Sequence, residues 1–181
     1  SGAFVAALPF PAFAVTQNVN CGTSGYFVII DNVVTNDGPT GSQCKGTVVI
    51  PNTATSVANN AFQNNTFVTT LLIPGSVTTI GNNSFEGLSA LTSLTLQEGI
   101  VTIGNFAFYD ETLDGITSLV IPNSVQSIGE KSFMIYVTSG APYPLTQVDL
   151  GTGITTIGYS AFYNTLRGVA SLTIPDSVTN L

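Results

Sequence analysis

The sequence has no histidine and no tryptophan, and it contains one methionine and two cysteines. Histidine is the commonest general base and the commonest metal ligand, so its absence excludes the usual Ser-His-Asp triads and most zinc sites. Charged residues make up only 7% of the chain, against roughly a quarter in an average soluble domain. From these absences we expect a protein that is not an enzyme and needs no cofactor.

Positive charge is scarcer still, with three Lys and Arg against ten Asp and Glu, a net charge of −7 and a pI of about 4.1. A chain of this charge repels a polyanion, so nucleic acid is not an expected partner. No apolar run reaches the roughly 18 residues of a membrane-spanning helix, so no span is expected. Hydrophobic residues nevertheless make up 44% of the 181 residues, which is enough for one domain with a sizeable core.

The first part of the chain has the features of exported proteins. Residues 1–14 end in the apolar stretch AFVAALPFPAFA, which predicts the remnant of a secretory signal peptide whose start is missing; the alternative is an N-terminal strand or buried arm. Residues 15–46 are expected to form a capping segment that holds both cysteines, Cys21 and Cys44. An exported chain favours a disulfide between them, whereas a cytosolic one would keep two buried thiols.

The rest of the chain, residues 47–181, is a repeat. Four segments align without gaps: LLIPGSVTTIGNNSF (71–85), LTLQEGIVTIGNFAF (94–108), LVIPNSVQSIGEKSF (119–133) and VDLGTGITTIGYSAF (148–162). A degenerate copy starts at Val48, and a sixth starts at Leu172 and stops in mid-unit at Leu181. Equivalent positions recur after 23, 23, 25, 29 and 24 residues: Pro51, Pro74, Gln97, Pro122, Gly151 and Pro175.

Each unit has the same physical plan. Leu-x-Ile predicts a short strand, the following Pro ends it, and Val-x-x-Ile-Gly predicts a second short extended segment. A small residue and a Phe then direct an aromatic ring inward. One unit has too few apolar side chains for a core, so we expect stacked units to share one, with these rings in a column: Phe62, Phe85, Phe108, Phe133 and Phe162.

This pattern closely resembles the BspA-like leucine-rich repeat. The resemblance covers about residues 47–181 and implies a mostly β, right-handed leucine-rich-repeat solenoid with a parallel concave sheet and short convex strands or turns. It also implies a secreted or cell-surface protein with a role in adhesion. The family often has Cys after the Phe of each unit, whereas this chain has other residues there: Asn64, Gly87, Asp110 and Asn164. An insertion at residues 134–144 lengthens one unit.

Carboxylates cluster only in the segment YDETLDG, which contains Asp110, Glu111 and Asp114. Three carboxylates beside a glycine are a weak candidate for a Ca²⁺ site, although their spacing does not fit an EF-hand loop. A plain hydrophilic loop is the favoured interpretation. No other grouping of carboxylates predicts a glycosidase pair.

Two surfaces are candidates for binding. The first is the exposed side of the first strand of each unit, where two columns contain no aromatic residue, Arg or Lys: Thr70, Ser93, Ser118 and Gln147, and Leu72, Thr95, Val120 and Asp149. Since binding hot spots are enriched in Trp, Tyr and Arg, this face is chemically bland. The second surface consists of loops with candidate anchors Tyr109, Tyr136, Tyr143 and Tyr163.

The leading hypothesis is therefore a non-enzymatic exported repeat protein for adhesion or protein recognition, whose ligand is a protein or a surface glycan. The alternative is a structural stalk or spacer for a domain outside this chain, and a weaker one is a carbohydrate- or metal-processing enzyme. We also expect possible self-association through the incomplete last unit, which leaves Leu172, Ile174 and Val178 without a following unit.

Overall fold

The computed structural model describes residues 14–36, 43–136 and 144–181. Over these residues the chain forms strands and two short 3₁₀ helices, Asp110–Leu113 and Thr165–Gly168. The strands are β1 Thr16–Asn20, β2 Tyr26–Ile30, β3 Val33–Asn36, β4 Gly46–Val49, β5 Ser56–Val57, β6 Val68–Ile73, β7 Thr79–Ile80, β8 Ser93–Leu96, β9 Thr102–Ile103, β10 Ser118–Val120, β11 Ser127–Ile128, β12 Gln147–Asp149 and β13 Thr156–Ile157.

Each complete repeat unit contributes one strand to each of two layers. The second segments of the units, β5, β7, β9, β11 and β13, pair in parallel. Together with β1, β2 and β3 of the N-terminal segment they form an eight-stranded sheet of order β1-β2-β3-β5-β7-β9-β11-β13, here called the short-strand sheet. The first segments form the other layer, the repeat-strand sheet, in two pieces, β4-β6-β8 and β10-β12. Equivalent residues of successive units are paired, for example Ile80 with Ile103. The predicted mostly β, parallel-sheet solenoid is confirmed.

The repeat-strand sheet is not continuous, which the sequence did not predict. Among the described residues, β8 and β10 are not joined by backbone pairing. The interruption coincides with the first unit longer than 23 residues, in which the 3₁₀ helix Asp110–Leu113 takes up chain length. Leu94 on β8 is only partly buried, whereas Leu71 and Leu119 at equivalent positions are 1% exposed.

A column of phenylalanine rings runs through the core between the two layers. Ring centroids lie 5.4, 5.3, 5.2 and 5.3 Å apart from Phe62 to Phe162, with interplanar angles between 6° and 19°. The rings of Phe62, Phe85, Phe108 and Phe133 are at most 1% exposed. This confirms the predicted column, and Phe27 of β2 adds a further ring, packed edge-on against Phe62 at 5.6 Å.

The N-terminal segment continues the short-strand sheet. β1, β2 and β3 are antiparallel, and β3 then pairs in parallel with β5 of the first unit. The predicted disulfide joins Cys21 and Cys44, whose Cα atoms are 5.3 Å apart and whose side chains are buried. Residues 1–13, with the expected signal remnant, lie outside the described residues.

Uncharged side chains satisfy backbone groups along the outside of the stack. The Oδ1 atoms of Asn59, Asn82 and Asn105 accept hydrogen bonds from backbone amides one unit further on, at 2.7, 2.8 and 2.8 Å. The hydroxyls of Thr78 and Thr92 donate to carbonyls one unit back. Since buried or edge backbone groups need partners, these ladders explain how the chain folds with so few charges.

Two buried hydroxyls in the column of small residues have no partner among the described residues. The Oγ atoms of Ser84 and Ser132 lack a hydrogen bond and are 0% exposed, although Ala61, Ala107 and Ala161 fill the same position in other units. An unsatisfied buried hydroxyl costs about 1–3 kcal/mol.

We therefore expect Ser84→Ala to raise the free energy of unfolding by about 1 kcal/mol, measured by urea denaturation. Ala107→Ser is the reverse control and should lower it. A loss of stability in Ser84→Ala would show that the hydroxyl has a partner in solution.

Candidate recognition surfaces

The repeat-strand sheet presents the eight candidate residues of its face as predicted by strand alternation. Within each piece, neighbours pair across strands, as Leu72 with Thr95 and Val120 with Asp149. Six of the eight are exposed, whereas Thr70 and Leu72 are partly buried. The face carries hydroxyls, aliphatic groups and one carboxylate, and the break between β8 and β10 divides it into two short sections.

The tyrosines lie on the loops that follow the phenylalanine column. Tyr136 is 64% exposed and Tyr163 is 56% exposed, while Tyr109 is half-buried. Tyr163 follows Phe162 as Tyr109 follows Phe108, so the two occupy the same position two units apart. Tyr143 lies outside the described residues. The structure also exposes Tyr159 to 75%.

Tyr109 belongs to a mixed cluster of aromatic and charged side chains. Its ring packs edge-on against Phe106, with centroids 5.4 Å apart and an interplanar angle of 80°. The Lys131 ammonium lies 5.3 Å from the centre of the Phe106 ring and 3.3 Å from the Glu130 carboxylate. We call this cluster and the acids that act on it the aromatic-acidic patch: Glu86, Phe106, Tyr109, Asp110, Glu111, Asp114, Lys131 and Tyr136.

Phe106 has a backbone conformation that suits few bulky residues. Its φ of 56° is left-handed, as it is at the equivalent residues Asn60, Asn83, Lys131 and Ser160. Asparagine tolerates this region well, whereas a bulky side chain there is an outlier. Such strain costs roughly 1–3 kcal/mol and is concentrated at functional positions. The backbone conformation alone therefore favours asparagine at position 106, whereas the half-buried Phe106 ring makes contacts with Tyr109 and Lys131 that asparagine could not make.

The carboxylates of the patch repel one another. Burial raises the pKa of Asp110, and Glu111 and Glu86 raise it further. Burial likewise raises the pKa of Asp114, with added repulsion from Glu111 and Asp110. Burial and the Asp110 charge also raise the pKa of the Tyr109 phenol, although Lys131 acts in the opposite direction. The patch therefore holds negative charge that its own cation does not neutralise.

A buried threonine fixes the acidic loop in place. The 3₁₀ helix Asp110–Leu113 buries Thr112 and Leu113 and turns Glu111 outward. The Thr112 hydroxyl donates to the Phe85 carbonyl at 2.7 Å and accepts from the Leu88 amide at 3.0 Å. Because both partners belong to the preceding unit, the loop is held against the stack. The acids are thus presented on a fixed support.

Burial of Asp114 and its repulsion by Glu111 and Asp110 predict a stabilising substitution. A carboxyl with a raised pKa in the folded state destabilises the fold above that pKa and does so no longer below its ordinary pKa of 3.8. We expect Asp114→Asn to raise the urea midpoint at pH 7. The gain should shrink as the pH falls through the raised pKa and vanish near pH 3, measured by urea denaturation across pH. A gain that does not depend on pH would contradict this charge repulsion.

The three acids do not form a metal-ligating group. Within the described parts of the chain, no three His, Cys, Asp or Glu side chains are placed to hold a metal ion. Glu98, elsewhere, accepts backbone hydrogen bonds from Asn123 at 2.9 Å and Ser124 at 3.0 Å, which lower its pKa. That carboxylate thus has a structural role between units.

Sequence reasoning identified Tyr109 and the acids but missed Phe106, Glu86 and Lys131 as their neighbours. Phe106 was visible in the alignment as the one aromatic residue at a position where other units have Asn, Lys or Ser. Glu86 follows Phe85 in the preceding unit, and its carboxylate is held by the side-chain amides of Gln63 at 2.8 Å and Asn83 at 2.6 Å. Contacts across units of this kind need the stacked structure to be seen.

Solved bacterial structures have the same fold. A leucine-rich repeat protein from Eubacterium ventriosum is 19% identical, with a TM-score of 0.61, over 85% of this chain and 45% of that one. A leucine rich cell surface protein from Faecalibacterium prausnitzii is 21% identical, with a TM-score of 0.50, over 96% of this chain. The present chain spans 51% of that protein. A leucine-rich repeat protein from Bacteroides capillosus is 18% identical, with a TM-score of 0.50, over 76% of this chain and 97% of that one.

No curated protein matches the sequence. In the described residues, no helix has the length and hydrophobicity required to cross a membrane. The sequence matches the profile of the BspA type leucine rich repeat region in six copies over residues 55–181. Because this match covers more than half of the chain, the protein belongs to the BspA-type leucine-rich repeat family.

Proposed function

We propose that this protein is an exported, non-enzymatic recognition protein that binds a protein partner through the aromatic-acidic patch. The observation that carries the proposal is the patch itself, where a half-buried aromatic residue with left-handed backbone adjoins carboxylates with raised pKa values. A bulky ring on left-handed backbone and neighbouring carboxylates both cost folding free energy, which supports a role of this surface in binding. The partner surface is basic, since positive charge would relieve the repulsion among the acids.

Three observations support export and surface display. A buried disulfide at Cys21 and Cys44 is characteristic of oxidising compartments. The apolar stretch within residues 1–14 has the composition of a signal-peptide end. A protein of the same fold, from Faecalibacterium prausnitzii, is described as a cell surface protein. Secretion or attachment to the cell surface is therefore the proposed location, and adhesion is the proposed use.

The repeat-strand sheet serves mainly as a scaffold in this proposal. Its exposed columns carry no aromatic or cationic anchor, and the break between β8 and β10 interrupts the face. The described residues 15–36 and 43–46 act as the N-terminal cap of the stack, with the Phe27 ring covering the first ring of the column. Tyr136 extends the patch, and Tyr163, whose carbonyl accepts from the Ile135 amide at 3.2 Å, offers a further contact beside it.

The test uses an array of immobilised extracellular-matrix proteins and mucin glycans. We expect the wild-type protein to bind protein spots, and the binding to weaken steeply above physiological salt, because exposed charges are screened. Phe106→Asn should abolish this binding because it removes the aromatic ring of the patch. We expect the variant to fold, because asparagine suits the left-handed backbone at this position. The matched control is Val120→Thr on the repeat-strand sheet, which should leave binding intact.

The other outcomes are equally informative. Binding that Val120→Thr abolishes and Phe106→Asn spares would assign recognition to the sheet and overturn the proposal. Binding to the glycan spots alone would contradict a protein partner. A wild-type protein that binds neither the protein spots nor the glycan spots would overturn the proposal in favour of a structural stalk or spacer role.

A further inference from the structure

Two neighbouring repeat units inside the solenoid are joined on one side only. We call the contact between the unit that contains β8 and the unit that contains β10 the central boundary. In the repeat-strand sheet, no backbone pairing joins β8 to β10 among the described residues. In the short-strand sheet, β9 and β11 of the same two units pair in parallel, with Ile103 opposite Ile128. The two layers therefore differ in how firmly they connect these units.

The missing backbone bonds can be assigned to one side of β10. The Ile121 amide donates to the Asp149 carbonyl at 2.9 Å, so Ile121 faces β12. In a parallel ladder, alternate residues direct their N–H and C=O groups to opposite sides. The backbone of Val120 consequently faces β8, where no described residue pairs with it.

A ladder of threonine hydroxyls is interrupted at the same boundary. Four threonines directly precede the repeat strands or begin the approach to them at equivalent positions: Thr69, Thr92, Thr117 and Thr146. The Thr92 hydroxyl donates to the Thr69 carbonyl at 3.1 Å, and the Thr146 hydroxyl donates to the Thr117 carbonyl at 3.2 Å. Within the described parts of the chain, no such bond joins Thr117 to Thr92. Both the backbone and the side-chain ladders thus open between the same two strands.

The opposite layer and the turn after β8 hold the same two units together. The Gly129 amide donates to the Ile103 carbonyl at 2.8 Å. The Glu98 carboxylate accepts hydrogen bonds from the backbone amides of Asn123 at 2.9 Å and Ser124 at 3.0 Å. Only the strand part of the central boundary is therefore free to open.

We propose that the central boundary is a hinge, at which the repeat-strand layer opens and closes between β8 and β10 while the short-strand sheet stays paired. Regions with solvent-accessible backbone groups and few contacts open locally at low free energy. Hinge motion of rigid parts about a few residues is a common conformational change in proteins. The units before β10 and the units from β10 onward then move as two blocks.

Opening of the hinge changes the curvature of the exposed face of the repeat-strand sheet. Thr95 lies on one block and Val120 on the other, and both are exposed. A partner that contacts both blocks would favour the hinge angle that it binds better, since a ligand shifts the equilibrium towards that state. The hinge is a property of the free protein and does not depend on a partner for the aromatic-acidic patch.

Hydrogen exchange followed by NMR on the whole chain tests the open side first. We expect the Val120 amide to exchange at least about tenfold faster than the Ile121 amide beside it. The Gly129 amide, which is bonded across the same boundary in the other layer, should exchange as slowly as that of Ile121. Equal protection of Val120 and Ile121 would show that β8 and β10 are paired in solution and would overturn the hinge.

Distances between spin labels, measured by pulsed electron paramagnetic resonance, then distinguish a moving hinge from a fixed gap. Val49→Cys combined with Asp149→Cys places one label on β4 and one on β12, in the repeat-strand layer of the two blocks. Thr55→Cys combined with Thr155→Cys is the matched control, because these exposed residues belong to the same two units on the side of the short-strand sheet. The native cysteines are bonded to each other and take up no label.

We expect a broader distance distribution for the pair at positions 49 and 149 than for the pair at positions 55 and 155. The labels and their linkers are the same in both variants, so the difference reports motion of the blocks. Distributions of equal width would show that the gap between β8 and β10 is static, and they would overturn the hinge even if Val120 exchanges rapidly.

Discussion

Phe108→Ala should lower the free energy of unfolding by about 3–5 kcal/mol, the usual cost of truncating a buried phenylalanine. The ring is 0% exposed and is stacked between Phe85 at 5.3 Å and Phe133 at 5.2 Å. Its loss leaves a cavity between two units, and neighbours whose backbones are hydrogen-bonded across units cannot collapse into it. Urea denaturation followed by circular dichroism gives the measurement.

Phe106→Ala, two residues earlier, is the matched control. It removes the same ring from a half-buried position outside the phenylalanine column, at a residue with left-handed backbone, and it should change stability far less. Equal losses for the two variants would contradict the assignment of Phe108 to a continuous core and of Phe106 to a position outside that core.

Removing the disulfide by the double substitution Cys21→Ala and Cys44→Ala should lower the free energy of unfolding by about 3 kcal/mol. The bridge closes a loop with a sequence separation of 23 residues, and the chain-entropy model for such a loop gives a value of this size. Alanine is chosen because both positions are buried and a serine hydroxyl there would lack partners.

Wild-type protein unfolded in the presence of a reductant provides the control for this prediction. Its urea midpoint should fall towards that of the double variant, and the double variant itself should not respond to the reductant. A wild-type midpoint that reduction leaves unchanged would show that the bridge does not stabilise the fold.

The repeat made the core of this fold predictable from the sequence. Recurrence of Phe and of Leu-x-Ile at fixed positions implies stacking, since one unit cannot bury these side chains alone. The column from Phe62 to Phe162 followed directly. Phe27 was missed because the N-terminal hairpin has no repeat motif, and its place above Phe62 depends on tertiary packing.

Departures from the repeat were not predictable for the same reason. Residues 171–174 are unpaired although they keep the motif, and β10, which also keeps it, is not paired with β8, where Leu96 and Gln97 replace the usual Ile and Pro. Unit length and stacking geometry decide whether two strands approach within hydrogen-bonding distance, and neither is encoded in the motif letters. The alignment therefore overstated the continuity of the repeat-strand sheet.

The candidate surface was predictable in its parts and not in its arrangement. Tyr109, Asp110 and Glu111 are adjacent in sequence and were visible at once. Their coupling to Glu86 and Lys131 arises from stacking of units about 25 residues apart, which places each unit's loop against the next. The left-handed backbone of Phe106 likewise became evident only from its φ.

If the aromatic-acidic patch is kept for binding at the expense of folding, replacing its Phe106 ring must affect binding and stability differently. The most direct measurement compares Phe106→Asn with the wild-type protein for both properties in the same buffer: the free energy of unfolding in urea, and binding to the protein spots of the matrix array. We expect an unfolding free energy that is equal or higher in Phe106→Asn and binding that is lost. Lower stability with unchanged binding would show that the patch is not kept for binding.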